Sequence, residues 1–167
     1  MILRALTLAG GLTGAAGLSQ FPEFSQQYMQ RLGGAVDELG RFVAEFDADA
    51  ASLDVSREQA LIQMRHGGAM GAVRADTMEN TFARHARLSA DLTALQGAGP
   101  FTRAYEMRRF SDGEIASRAW QAYKPAVPLT FEGSVFAGAG FLGGLALVGG
   151  LLALLRGLFR RRKPAAS

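Results

Sequence analysis

LTFEGSVFAGAGFLGGLALVGGLLALLRGLFRRRK, from Leu129 to Lys163, is the stretch that decides the fold. Between Gly133 and Leu155 it carries no charged side chain. At the helical rise of about 1.5 Å per residue that length reaches roughly 34 Å, enough for a tilted bilayer crossing. The sequence therefore predicts a transmembrane helix over residues 129–159. Arg156, Arg160, Arg161, Arg162 and Lys163 follow it. Such a cluster resists translocation and marks the cytoplasmic side, which makes residues 160–167 a basic cytoplasmic tail.

Working outward, the charge is segregated. Of 18 basic residues in 167, six lie at the two ends: Arg4 and the five just named. The stretch from Ser19 to Pro128 holds every acidic residue except Glu132. The centre is slightly acidic and the ends are basic, as membrane topology requires. A sequence pI near 9.8 is thus no argument for nucleic acid, and none is expected as a partner. With no cysteine, thiolate metal sites, disulfides and a cysteine nucleophile are excluded.

The other apolar end is MILRALTLAGGLTGAAGL, Met1 to Leu18. It reads as a signal anchor over residues 1–20, with Arg4 able to snorkel to the headgroups; a cleavable signal peptide is the alternative. Its small residues favour the anchor. Gly10 and Gly14 form one small-xxx-small pair and Gly140 and Gly144 another, with Gly133/Ala137 and Ala146/Gly150 beside them. Such faces let helix backbones approach closely in lipid, where packing drives association. The two spans are expected to pack on each other.

Residues 21–128 read as an extramembrane helical hairpin. From Ser19 to Phe46, apolar residues recur every three or four positions at Phe21, Phe24, Tyr28, Leu32, Val36, Leu39, Val43 and Phe46, with Pro22 in the first turn. Gly33, Gly34 and Gly40 each weaken such a helix by about 1 kcal/mol relative to alanine, so close packing or a bend is expected there. Asp47–Val55 reads as a polar loop, and Ser56 with Gln59 as a capping box for a short helix. Arg65–Met70 breaks that helix at a glycine pair, and from Gly71 a long helix carries the stripe Val73, Met78, Phe82, His85, Leu88, Leu92 and Leu95. An antiparallel hairpin with the first helix buries both stripes. Two shorter helices follow, the second opened by Ser111 in capping-box spacing with Glu114. Trp120 and Tyr123 fall where amphipathic aromatics sit at a membrane interface. Pro125 and Pro128 punctuate the linker to the last span.

No phosphate loop, HExxH pattern or nucleophile elbow occurs, so neither an enzyme nor a cofactor is expected. His66 and His85 have no carboxylate or second histidine at ligand spacing. Arg84 and Arg87, with His85, form a basic patch read mainly as a solvated face, and Arg103, Arg108 and Arg109 alternate with Glu106 and Asp112 in surface pairing.

GLSQFPEFSQQYMQRLGGAVDEL (Gly17–Leu39), FARHARLSADLTAL (Phe82–Leu95) and PAVPLTFEGSVFAG (Pro125–Gly138) together resemble a bacterial membrane-protein family, domain-of-unknown-function family 2937. The resemblance implies an inner-membrane protein with a membrane helix near each end, and it carries no site residues. The function expected is that of a non-catalytic accessory subunit, bound to an integral membrane partner through Gly-rich spans and the hairpin, with both termini cytoplasmic. A self-assembling scaffold, and a periplasm-facing module binding lipid or another apolar ligand, are the alternatives.

Overall fold

A computed structural model of the chain describes residues 1–125 and 129–160. Among these, every regular element is helical: α1 (Ile2–Leu18), α2 (Phe21–Ser52), α3 (Arg57–His66), α4 (Ala69–Leu95), α5 (Pro100–Tyr105), α6 (Gly113–Ala122) and α7 (Phe131–Arg160), with a 3-10 turn at Met107–Arg109. Two stretches, one within Ile2–Ser52 and one at Phe131–Leu158, are long and apolar enough to cross a membrane. The described chain divides into two compact units: Met1–Ser25 with the residues from Tyr123 on, and Gln26–Ala122.

In the first unit α1 and α7 pack side by side and antiparallel. Gly10 faces Gly144, Gly14 faces Gly140, and the Phe21 and Phe136 rings meet at 5.3 Å between centroids. At the helical rise, α1 alone extends about 26 Å, short of a hydrocarbon core of about 30 Å. The contact of Phe21 with Phe136 shows the start of α2 extending that packing. Between α1 and α2 the chain barely turns: Ser19 stays right-handed helical (φ −59°, ψ −20°) and its N–H donates to Ala15 O. Thr130 opens α7, its Oγ1 accepting the Gly133 N–H at 3.1 Å. Residues 126–128, including Pro128 of the expected linker, lie outside the described residues.

The second unit has two apolar centres. Tyr28, Leu32, Leu88 and Leu95 are fully buried, with Ile115 and Ala119 of α6 also buried. Burying each large side chain contributes roughly 1.5–3 kcal/mol. Leu61 of α3 packs with Ala75 and Met78 of α4, and Phe46, Met64 and Phe82 close over them. Phe46 meets Phe82 edge-on at 5.2 Å, and the Nε2 of His85 lies 3.3 Å from where a Cβ on Gly40 would stand. These contacts bring the second half of α2 against α4. The tightest approach in this unit is instead between α3 and α4, where a Cβ on Gly71 would collide with the Met64 carbonyl.

Four expectations are corrected. Helix α2 runs through Asp47 to Ser52, because Ala48, Ala50 and Ala51 favour helix and Ala50 is buried; the connection is only Leu53–Ser56. Gly33 and Gly34 have no neighbour within 4 Å of where a Cβ would stand, and α2 continues through them, so they do not mark close packing. Val73 is 60% exposed while Ala75 is fully buried, so the inward stripe of α4 starts two residues later. Asp112, not Ser111, caps α6: its Oδ1 accepts the Glu114 and Ile115 N–H groups, both at 3.1 Å.

The Ser56 capping box is present as read, with both reciprocal bonds. Arg57 beside it ties three helices together. Its guanidinium donates twice to Asp47 of α2, at 2.7 and 2.5 Å, and lies 4.6 Å over the Phe82 ring of α4.

Candidate functional site

The α1–α7 contact is built from glycine backbone. A Cβ on Gly14 or on Gly140 would fall on the other residue's carbonyl oxygen, and the same holds for Gly144 against Gly10. A Cβ on Gly10 would overlap Val148, and one on Gly11 would stand 2.9 Å from the Phe141 ring. Any side chain at Gly14, Gly140 or Gly144 meets backbone that cannot swing aside and forces the helices apart. The two small-xxx-small pairs of the sequence are therefore brought into one contact, each filling the other. Gly133 is buried and Ala137 half-buried on the same face of α7, whereas Ala146 and Gly150 are exposed on another.

At the chain-terminal end of this pair, Arg4 of α1 and Arg156 of α7 line one groove. Glu132 lies in the first turn of α7, at the opposite end. Tyr123 is buried, its hydroxyl donating to Gln20 Oε1 and its ring edge-on to Phe24. Trp120, on α6, is 66% exposed. The backbone of Arg160 ends α7; Arg161, Arg162 and Lys163 lie outside the described residues.

In the Gln26–Ala122 unit Arg84, Arg87 and Arg109 are held by internal partners. Arg84 Nη2 approaches Asp112 Oδ2 at 3.1 Å and Glu114 Oε2 at 3.2 Å. Arg87 Nη1 donates to Ser111 Oγ at 2.9 Å, and Ser111 donates in turn to Asp91 Oδ2 at 2.9 Å. Arg109 reaches Asp91 at 3.3 Å and Glu106 at 2.9 Å. The Asp112 N–H donates to the hydroxyl of Tyr28, whose ring packs on Phe110 at 4.5 Å. Burying Asp91 and Asp112 without such partners would cost several kcal/mol; paired, they clamp the segment after α5 onto α4. This network joins residues far apart in the chain, and the only local sign of it is the acidic start of α6 at Asp112-Gly113-Glu114. Each of its carboxylates is engaged by an arginine, and Asp91 by the Ser111 hydroxyl as well, an arrangement that works as a polar clamp.

The same unit carries an open groove of about 430 Å³ between α2, α3 and α4. Phe42, Phe46, Leu53, Met64 and Met78 form its apolar surface, and Glu45, Asp49 and Arg74 its charged rim. Phe42 and Leu53 are 46% and 68% exposed. Asp49, Leu53, Gln63 and Met64, from the stretch that joins α2 to α4, supply one wall of it.

A family model described as "Protein of unknown function (DUF2937)" matches residues 2–161. No curated protein and no solved structure matches the chain.

Proposed function

We propose a role for this chain from the premise that it belongs to the DUF2937 family of proteins of unknown function: it is a non-catalytic accessory subunit of a larger bacterial inner-membrane complex. It crosses the membrane twice, with both ends cytoplasmic and the intervening segment in the periplasm. The antiparallel course of α1 and α7 supports this topology, because it brings Arg4 and Arg156 to one groove at one end of the pair. Positive charge at that end favours the cytoplasmic side. Met1–Leu18 stays attached as an anchor, since its glycine face is filled by α7.

The observation that carries the accessory reading is the α2–α3–α4 groove. It is open, with aromatic and aliphatic side chains exposed along it and charges of both signs on its rim. An amphipathic helix of a partner protein is the ligand such a surface suits. In the membrane, Gly140 and Gly144 are already filled by α1, which leaves Gly143, Ala146 and Gly150 on an exposed face of α7 for an integral partner.

A photo-crosslinking residue at Phe42, activated in cells before mild detergent extraction, tests this reading. One protein should be captured at constant ratio, and Leu53→Glu should abolish its capture. Adducts solely between copies of this chain would turn the subunit into a self-assembling scaffold. A groove of about 430 Å³ is also within the size range of small-molecule sites. If mass spectrometry finds a bound lipid or other apolar molecule there and no protein adduct forms, the periplasmic ligand-binding reading replaces the accessory one.

A further inference from the structure

The groove at the Arg4–Arg156 end of the helix pair has a chemistry of its own. Beyond the glycine contact the two helices leave a gap of about 350 Å³. It opens there because Gly149 and Ala153 present little or no side chain to it; the nearest atom to a Cβ on Gly149 is Thr7 Cγ2, at 3.7 Å. Leu3, Leu8, Leu145 and Leu152 line the gap, and Arg4 and Arg156 stand beside them. The hydroxyl of Thr7, which also lines it, already donates to Leu3 O at 2.9 Å, so it asks for no polar ligand. Helix α1 contains no acidic residue and the only one in α7 is Glu132, at the far end. Among the described residues neither arginine has a carboxylate partner.

An apolar groove closed by two uncompensated guanidinium groups, on a helix pair of membrane length, is complementary to a molecule with a hydrocarbon chain and an anionic head. We propose that it holds one anionic phospholipid of the cytoplasmic leaflet, with the phosphate between Arg4 and Arg156 and an acyl chain along the leucines. Guanidinium groups bind phosphate oxygens through charge-assisted hydrogen bonds, and basic pockets between membrane helices on the cytoplasmic side select anionic head groups. A zwitterionic ethanolamine lipid fits less well, because its ammonium group is repelled by the same pair. The site rests on the reading that α1 and α7 cross the bilayer.

The test uses the full chain in nanodiscs of equal phosphatidylglycerol and phosphatidylethanolamine, released gently and weighed by native mass spectrometry. The wild type should retain phosphatidylglycerol over phosphatidylethanolamine by about tenfold, and Arg4→Gln with Arg156→Gln should abolish that preference. Lysine at both positions should restore most of it. Ala153→Trp, which fills the groove and keeps both arginines, should also lose the lipid. Glutamine at Arg161, Arg162 and Lys163 should leave retention unchanged; if retention is lost there instead, the tail holds the lipid and the groove does not. A disc-embedded wild type without head-group preference, or a glutamine pair that keeps it, overturns the site alone. A chain missing from alkali-washed membranes overturns the crossing, and the site with it.

Discussion

Gly14 and Gly140 hold the α1–α7 pair through an absence of atoms, so the smallest additions there have the largest effects. Neither the carbonyl of Gly14 nor that of Gly140 can move aside as a flexible side chain would. Gly14→Leu should separate the helices while leaving the apolar length of α1 intact. Because the chain has no cysteine, the separation can be read from one engineered pair. Cysteines at Thr7 and Gly149, where a Cβ on Gly149 stands 3.7 Å from Thr7 Cγ2, should join on mild oxidation. The same pair in a Gly14→Leu background should stay reduced, and efficient joining there would refute the glycine contact. At Asp112 the effect is electrostatic. Burial pushes its carboxyl up, but the Ile115 N–H, the Arg84 guanidinium and the Glu114 N–H outweigh it and hold it below its ordinary 3.8. A depressed carboxylate stabilises the fold above its unfolded value, and that contribution disappears as pH falls through the folded one. Asp112→Asn should therefore melt below wild type at neutral pH, with the gap closing as pH falls below the ordinary carboxylate range. A gap independent of pH would show that charge has no part in it. Asp112→Ala also removes the cap and should cost a further 1 kcal/mol or so. The glycine pairs were legible in the sequence because their spacing is local and their face repeats every four residues. The Asp91–Ser111–Arg87 chain was not, since its members are brought together only by folding, and Ser111 offered a rival cap one residue early.

Among the elements, the α3–α4 turn is where local signals and tertiary packing agree best. Ser56 and Gln59 announce α3, and the Gly67-Gly68 pair ends it, with Gly68 at φ +92°, a conformation that favours glycine. Three residues further on, Gly71 lies against the Met64 carbonyl. Gly71→Val should pry α3 from α4 and lose roughly 1–3 kcal/mol, read as faster proteolytic cleavage within residues 53–70. Unchanged cleavage would mean that the Arg65 pairs with Asp76 and Glu79, at 2.6 and 2.8 Å, hold the turn by themselves; these pairs are exposed and are expected to add little. The stripe of α2 was readable over its whole length, from Phe21 to Phe46. Its end was not, because DADAAS mixes polar residues typical of loops with alanines that extend a helix. Packing of Ala50 decides between them, and no local pattern encodes that contact.

For the whole molecule, the prediction concerns topology. Alkaline phosphatase fused after residue 75 should be active and the same reporter at the C-terminus inactive, with a fluorescent reporter giving the inverse result. Activity at the C-terminus would reverse the orientation. Mass analysis of the protein from membranes should find Met1–Leu18 still attached; a mature form lacking them would show that α7 lives without its glycine partner. The antiparallel course of α1 and α7 also has a consequence for biogenesis. The two halves of the contact are synthesised at separate times, with everything between Leu18 and Phe131 made in the interval. At ribosomal speeds of about 5–20 residues per second, the interval is on the order of ten seconds. On the proposed topology, α1 waits in the bilayer throughout it with its glycine face open, available to any passing helix or to membrane quality control. Only the emergence of α7 closes it, so the glycine face of α1 stays uncovered in the nascent chain until residues 131–160 have been made.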